Sequence, residues 1–444
     1  MPLPHFLVMP YPILGHINPL LQFSQVLAKH GCKITFLITE FNQRRVKNAI
    51  EHLGSDIKFV TLPDGLDHDD DRSDQPKVIL SLRNTMPTKL HKLIEHINAL
   101  DGDNKITCLV ISKNIGWALE VGHNLGIKGA VLWPASAIAL ASFESIPRLI
   151  DEGIINSETG LPTRKQEIQL LPNSPMIETV NLPWCKLGKK FFLHMAEDTK
   201  TLKLAEWWLC NTTCDLEPEA LSLSSRFLPI GPLMMQSDDT NKSNSFWEED
   251  STCLDWLNQH PPQSVVYVSF GSLAMMEPTQ FKELALGLDL LNKPFLWVVR
   301  PDNENKVNNA YPDEFHGSKG KIVGWSPQRK ILNHPAIACF ISHCGWNSTI
   351  EGVCGGTPFL CWPFFSDQFY NMSYICDVWK VGLGLDKDEN GMISKVEIKN
   401  KVEQLLDNKD IQTRSLKLKE ITLMKTNGGQ SSKNLEKFIN WAKE

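Results

Sequence analysis

Between Ala338 and Pro363 the sequence gathers a histidine, an amide, a hydroxyl and a carboxylate in one short stretch: His343, Asn347, Ser348 and Glu351. Ala338-Cys339-Phe340-Ile341-Ser342 reads as a buried strand, and His343-Cys344-Gly345 as a tight exit turn. Trp346 opens a helix, and Pro358-Phe359-Leu360-Cys361-Trp362 forms the next strand. A βαβ unit of this kind aims free backbone N–H groups and the positive end of a helix dipole at its turn. It can therefore hold an anion without Lys or Arg. Asn347, Ser348 and His343 add side-chain donors, while Glu351 lies one helical turn beyond Asn347 on the same face. A carboxylate placed there can accept both hydroxyls of a ribose, so the chemistry is that of a nucleoside-diphosphate site. Taken alone, the same segment is equally an ordinary helix cap in an α/β core.

The elements that must position these groups are legible in the rest of the chain. Its 444 residues suggest two or three domains at roughly 150 residues each. Hydrophobic residues at 42% and charged residues at 22% exclude a disordered chain, a collagen-like repeat and a coiled coil. Short apolar runs alternate with helical periodicity: Phe6 to Met9, Lys33 to Ile38, Cys108 to Ile111 and Gly129 to Leu132 read as strands. Asn18 is expected to cap a helix with Pro19 at its first position and Leu20, Phe23, Val26 and Leu27 on one face. This alternation predicts a doubly wound parallel sheet. A polar stretch then intervenes, and the pattern restarts with Val265 to Phe270 and Phe295 to Val299. The expected organisation is an α/β N-terminal domain over 1–235, a linker over 236–250 and a second α/β domain over 251–427. A C-terminal amphipathic helix over 428–444 is expected to pack back on the N-terminal domain.

Charge and cysteine usage narrow the function. With 45 Lys plus Arg against 51 Asp plus Glu, the net charge of -6 argues against a nucleic-acid partner. No apolar run approaches the ~18 residues of a membrane span, and the first residues lack the basic region of a signal peptide. Eleven scattered Cys without a CxxC pair fit reduced, buried thiols and a cytoplasmic chain, in which the Asn211-Thr212-Thr213 sequon has no meaning. A monomer is expected.

The segment from Trp325 to Gln368, WSPQRKILNHPAIACFISHCGWNSTIEGVCGGTPFLCWPFFSDQ, closely resembles the signature box of plant family 1 UDP-sugar glycosyltransferases. Gly15-His16-Ile17-Asn18-Pro19, Val268-Ser269-Phe270-Gly271-Ser272 and Trp379-Lys380-Val381-Gly382 extend the resemblance over nearly the whole chain. It implies the GT-B architecture, two facing Rossmann-like domains with a cleft between them. In that family Trp325 would stack on uracil, as a flat indole suits a base face. Gln328 would help to hold the uracil and Glu351 the ribose. His343, Asn347 and Ser348, at the turn closed by Gly345, would hold the diphosphate, assisted by Ser272. Asp367 and Gln368 would bind the sugar hydroxyls together with Trp346. Gln in the last position goes with glucose donors in the family and His with galactose, which implies UDP-glucose as co-substrate. The family needs no cofactor and no metal. Asp67-His68-Asp69, Asp101-Gly102-Asp103 and Asp386-Lys387-Asp388 fit a loose metal-binding pattern, but each lies in a polar stretch that reads as solvated loop.

His16 matches the family's catalytic base in an inverting transfer, taking the acceptor proton as its oxygen attacks the sugar C1. Placed where the first strand ends and a helix begins, its imidazole is kept neutral by the helix dipole. Most members pair this histidine with an aspartate about five residues before a helix-starting Trp. Here Ser112 stands at that distance from Trp117, and the stretch from Asn104 to Leu119 holds no Asp or Glu. A serine hydroxyl can orient the ring but brings no charge, and one pKa unit of imidazolium stabilisation is worth about 1.4 kcal/mol. An acidic acceptor would need little help; an engineered or divergent variant, and a chain that binds without efficient turnover, are the other two accounts.

Ile13, Trp133, Ser136 and Phe143 are candidate acceptor walls, as are Trp184, Phe191 and Phe192, with Phe364 beside the sugar site. The expected acceptor is a small lipophilic plant metabolite with a hydroxyl, an acidic phenol or a carboxyl, and N-, S- or C-linkage stays open. The alternatives are a UDP-sugar-binding pseudoenzyme and a related epimerase or hydrolase. A Rossmann dehydrogenase is disfavoured because no GxGxxG follows the first strand. Replacing Ser112→Asp should speed transfer to weakly acidic alcohols more than to acidic phenols; equal acceleration of both, measured as kcat/KM, would refute a His–Asp logic.

Overall fold

Runs such as Phe6-Leu7-Val8 and Val265-Val266-Tyr267-Val268 are apolar on both faces, so each demands a layer of structure above and below it. The computed structural model, which describes residues 3–44, 56–236, 249–300, 311–426 and 428–444, supplies those layers in two units. The first comprises Met1–Phe246 with Met424–Glu444, and the second Trp247–Leu423. Most of the expected linker, 237–248, lies outside the described residues.

In the first unit β1 (His5–Met9), β2 (Lys33–Thr39), β3 (Ile57–Leu62), β4 (Cys108–Ile111) and β5 (Lys128–Trp133) precede a small antiparallel ribbon. The ribbon pairs β6 (Glu167–Gln169) with β7 (Met176–Glu178), and β8 (Trp207–Cys210) and β9 (Phe227–Pro229) follow. The main sheet is parallel, in the order β3-β2-β1-β4-β5-β8-β9. The strand order reverses between β1 and β4, and open α/β sheets bind ligands beyond the carboxyl ends of the strands at such a switch.

One face of this sheet is covered by the helix Leu14–Lys29 and by the last helix of the chain, Gln430–Lys443. Leu435, Phe438, Ile439 and Ala442 of the last helix join the same core as Phe6, Val8 and Phe23. The Phe438 ring lies 5.6 Å from that of Phe6 and 5.9 Å from that of Phe23.

The start of the first helix differs from the sequence expectation. It begins at Leu14, with Ile13 in the cap position, and Pro19 sits inside it. Asn18 therefore caps nothing, and its Oδ1 is buried without a hydrogen-bond partner. The chain turns as soon as it leaves β1: both His16 N–H and Ile17 N–H donate to the Ile13 carbonyl at 2.9 Å. His16 thus lies in the first helical turn rather than in a preceding loop.

The second unit repeats the plan. Its strands β10 (Val265–Ser269), β11 (Phe295–Val298), β12 (Gly320–Val323), β13 (Ile337–Ser342), β14 (Phe359–Cys361) and β15 (Gly382–Gly384) form one parallel sheet. The order is β12-β11-β10-β13-β14-β15, with the switch between β10 and β13. Among the described residues, no helix is long and apolar enough to cross a membrane.

The last helix completes the core of the first unit, so Phe438→Ala should destabilise that unit by about 3–5 kcal/mol, the usual cost of emptying a buried aromatic site. Denaturant unfolding followed by near-UV dichroism checks this.

Candidate active site

The second unit places its chemistry where β10 and β13 end side by side, with Ser269 opposite Ser342. After β10 the chain turns through Gly271 at φ 68°; after β13 it turns through Cys344 at φ 62° and enters the helix Trp346–Gly355 from Gly345. The His343 ring is held between these two turns. A Cβ on Gly271 would stand 2.7 Å from His343 Nε2, and one on Gly345 only 2.3 Å from it. Both positions must be glycine for the backbone to close so tightly on the imidazole. Burial lowers the His343 pKa to about 4, with the Arg300 guanidinium adding to the shift, so the ring is neutral at physiological pH. The Ser269 backbone beside the ring pulls the other way, and Nδ1 is buried without a well-formed hydrogen bond.

A second set of contacts fixes Glu351. Gln328 Nε2 donates to the Glu351 carboxylate at 2.6 Å and to Ser348 Oγ at 2.9 Å. The Tyr267 hydroxyl in turn donates to Gln328 Oε1 at 3.1 Å and lies 2.9 Å from Ser326 Oγ. Strand β10, the turn after Trp325 and the helix from Trp346 are thereby tied into one network. Burial raises Glu351 to about 7 despite the opposing pull of the Gln328 hydrogen bond. Trp325 is half-buried at the edge of this network, and Ser272 and Asn347 are half-buried as well.

The pair expected at the sugar has its own order. Gln368 Oε1 accepts from the backbone N–H of Phe364 at 2.7 Å and of Phe365 at 3.1 Å. Asp367 Oδ2 accepts from Asn371 Nδ2 at 2.8 Å, and the same amide nitrogen donates to the Cys344 carbonyl at 2.8 Å. Asn371 therefore couples the sugar pair to the His343 turn. The Trp346 indole is buried 6.3 Å from that of Trp379, and Phe364 meets Phe270 edge to face at 5.6 Å.

Sequence reasoning passed over Tyr267, Asn371 and Arg300. Arg300 is buried, donates to the Ala274 carbonyl at 3.1 Å and brings a positive charge into reach of His343. The anion site expected to manage without Lys or Arg thus has a guanidinium nearby. The signal was a charged residue at the end of the apolar run Phe295 to Val299.

In the first unit, His16 and Ser112 sit beyond the ends of the adjacent strands β1 and β4. They do not pair. Ser112 Oγ accepts the Tyr11 N–H at 3.1 Å, whereas His16 Nδ1 is buried without a partner. The serine braces the loop after β1, and no hydrogen bond joins it to the His16 ring in this structure. Burial drops the His16 pKa to about 3, and no carboxylate contributes to the shift. The ring is positioned by aromatic edges instead, 5.5 Å from Tyr11 and 6.2 Å from Trp133.

Trp133 begins a chain of ring contacts through Phe143, Trp184 and Phe192 at 5.6 to 5.9 Å. Phe191 is buried beside them in sequence, and Ile13 is half-buried at the start of the first helix. Trp133 Nε1 donates to the Ser136 carbonyl at 2.9 Å, while Ser136 Oγ is buried and unpartnered. The Asp-x-Asp stretches meet lysines or neighbours: Asp101 pairs with Lys33 and Asp386 with Lys401, and Asp69 lies 3.0 Å from His68.

Comparisons with known proteins converge on one family. The family model described as UDP-glucoronosyl and UDP-glucosyl transferase matches residues 162–427. The chain is 40% identical to UDP-glycosyltransferase 83A1 of Arabidopsis thaliana, covering 99% of this chain and 97% of the other. Its fold is similar to that of a Polygonum tinctorium UDP-glucosyltransferase capable of glucosylating indoxyl, solved with 3,4-dichloroaniline. There the TM-score is 0.86 at 26% identity, over 100% of both chains. Os79 from O. sativa in complex with UDP gives 0.82 at 25% identity, over 98% of this chain and 100% of that one.

If Glu351 takes the ribose as the family resemblance implies, it must be ionised to accept two hydroxyls, and a carboxyl raised to about 7 would make donor binding pH-dependent. UDP-glucose, whose pyrophosphate has no proton to lose in that range, should bind more tightly as pH rises from 6 to 8, by up to about tenfold for one titrating group. Calorimetry on Glu351→Gln should show a flat profile.

Proposed function

The chain belongs to the UDP-glucoronosyl and UDP-glucosyl transferase family and is a UDP-glycosyltransferase of the GT-B fold class; from that premise we propose that it transfers glucose from UDP-glucose to a small plant metabolite with inversion at C1. The reading rests above all on the His343 turn, where a neutral imidazole pinned between Gly271 and Gly345 meets the mouth of the helix from Trp346. Helix N-terminal amides beside a neutral N–H donor suit a pyrophosphate, and Ser272, Asn347 and Ser348 extend the set. Glu351, oriented by Gln328, takes the ribose, and Trp325 covers the uracil. Asp367 and Gln368 hold the sugar, and Gln368 together with the glucosyl transfer named for the Polygonum protein supports glucose. With backbone dipoles and a nearby guanidinium to meet the diphosphate charge, this reading requires no divalent cation.

In the chemical step the acceptor oxygen bonds to C1 as the C1–O bond to UDP breaks on the opposite face, and His16 takes the acceptor proton. An imidazole held neutral by burial is in the correct form to act as a base, but its low pKa makes it a weak one. Acceptors that release their proton readily, acidic phenols or carboxylic acids, suit it best. The eleven free cysteines suit a cytosolic setting.

A second reading, a UDP-sugar-binding protein with little turnover, is favoured by one observation: His16 Nδ1 has no carboxylate to accept from it. Incubation with UDP-glucose and a panel of phenols, alcohols, acids, amines and thiols, read by mass spectrometry, separates the two and identifies the linkage. His16→Ala should lower kcat/KM by about 10²–10⁴, the usual worth of a general base, while the Kd for UDP stays within about twofold, below 0.5 kcal/mol. Retention of most activity would remove His16 from the base role.

A further inference from the structure

Lys113 follows Ser112 directly beyond β4 and is fully buried, an unusual place for an ammonium group. Its Nζ donates to the Met195 carbonyl at 2.9 Å and lies 4.3 Å from the centre of the Phe143 ring; the only other acceptor within reach among the described residues is Met195 Sδ at 4.0 Å. Asp198, one turn beyond Met195 on the helix Gly188–Thr201, is 2% exposed. Its Oδ1 faces Arg83 at 3.6 Å, and its Oδ2 is buried with no partner. Asp198 thus stands one turn along the helix from the carbonyl that Lys113 grips, and Glu144 is a second carboxylate whose charge bears on the ammonium; Lys113 and Asp198 form no ion pair with one another among the described residues. A buried ammonium with N–H groups to spare therefore stands near a buried carboxylate oxygen with nothing to accept. Both are tied to the elements argued above to receive the acceptor. Phe143, under the ammonium, touches Trp133, and Trp133 touches His16.

We propose that Lys113 and Asp198 form a hydroxyl-binding subsite for the acceptor, with the ammonium donating to one acceptor hydroxyl and the carboxylate accepting that hydroxyl's proton in a hydrogen bond. A hydroxyl is the group that accepts and donates at one atom. A carboxylate there would face Asp198, and an ammonium would face Lys113, so each would meet like charge. The substrate class that follows is a compact aromatic or alicyclic molecule carrying a second hydroxyl remote from the one that takes the sugar. This inference rests on the first unit being the acceptor-binding unit of a glucosyltransferase.

The test uses matched acceptors, 4-phenylphenol against 4,4′-biphenol and 2-naphthol against 2,6-dihydroxynaphthalene, with the full-length protein and its Lys113→Met and Asp198→Asn variants. Wild type should favour the dihydroxy member by at least about tenfold in kcat/KM, chiefly through KM, as expected for a site left unsatisfied by the analogue lacking the group. Each variant should bring that ratio to within about threefold. A ratio unchanged in the variants overturns the proposal, as does a wild type with no preference. Equal loss for both members, tracking a fall in Tm, makes the pair purely structural and also overturns it. Asp198→Asn preserves shape and carries the test should Lys113→Met fail to fold. If wild type binds UDP but glucosylates nothing, the transferase reading fails instead. Calorimetric binding of 4,4′-biphenol against 4-phenylphenol then decides the subsite on the same criteria.

Discussion

Two backbone turns closing on one imidazole are the constraint around which the second unit is organised. His343 can sit where it does only because neither Gly271 nor Gly345 carries a side chain. The same closeness brings the amides that open the helix Trp346–Gly355 to the end of β13. Burial then removes the ring's charge, which leaves a neutral donor beside a helix mouth. The Gln328 network does the corresponding work for the carboxylate end, holding Glu351 against the helix face instead of leaving it to solvent. Preorganisation here is achieved by covalent simplicity on one side and by a saturated amide on the other.

The two sheets solve the same topological problem. In each, the strand order reverses beside the first strand, and the residues with chemical potential gather beyond that reversal: His16 and Ser112 after β1 and β4, Gly271 and His343 after β10 and β13. The environments differ in kind. The second unit surrounds its histidine with backbone and a guanidinium, whereas the first surrounds His16 with aromatic edges and no acid. The first histidine therefore has neither a counter-charge nor a hydrogen-bond partner at Nδ1 to stabilise a positively charged ring.

The sequence carried local features well and long-range ones poorly. The helix at Trp346, the strands flanking it and the last amphipathic helix were legible because each is written in contiguous periodicity or a turn residue. The first helix was misplaced because Asn18-Pro19 resembles a cap, while the actual start depends on Ile13 accepting two N–H groups, which no side chain announces. The position of Ser112 was readable, but its hydroxyl's allegiance to Tyr11 was not, since that contact spans about a hundred residues of chain. Arg300, Lys113 and Asp198 escaped for the same reason. A buried charge is recognisable only once its surroundings are known.

The return of the final helix to the first sheet has a consequence for biosynthesis. The face of β1 and of the first helix that receives Phe438 is made well before its cover, with the whole second unit between them in the chain. Everything from Trp247 to Leu423 emerges from the ribosome in between and contains a complete sheet of its own. The later-made unit can thus finish folding while the earlier one still exposes an apolar surface, an inversion of the usual vectorial order. Chaperone occupancy of the nascent chain should be governed by that uncovered patch around Phe6 and Phe23.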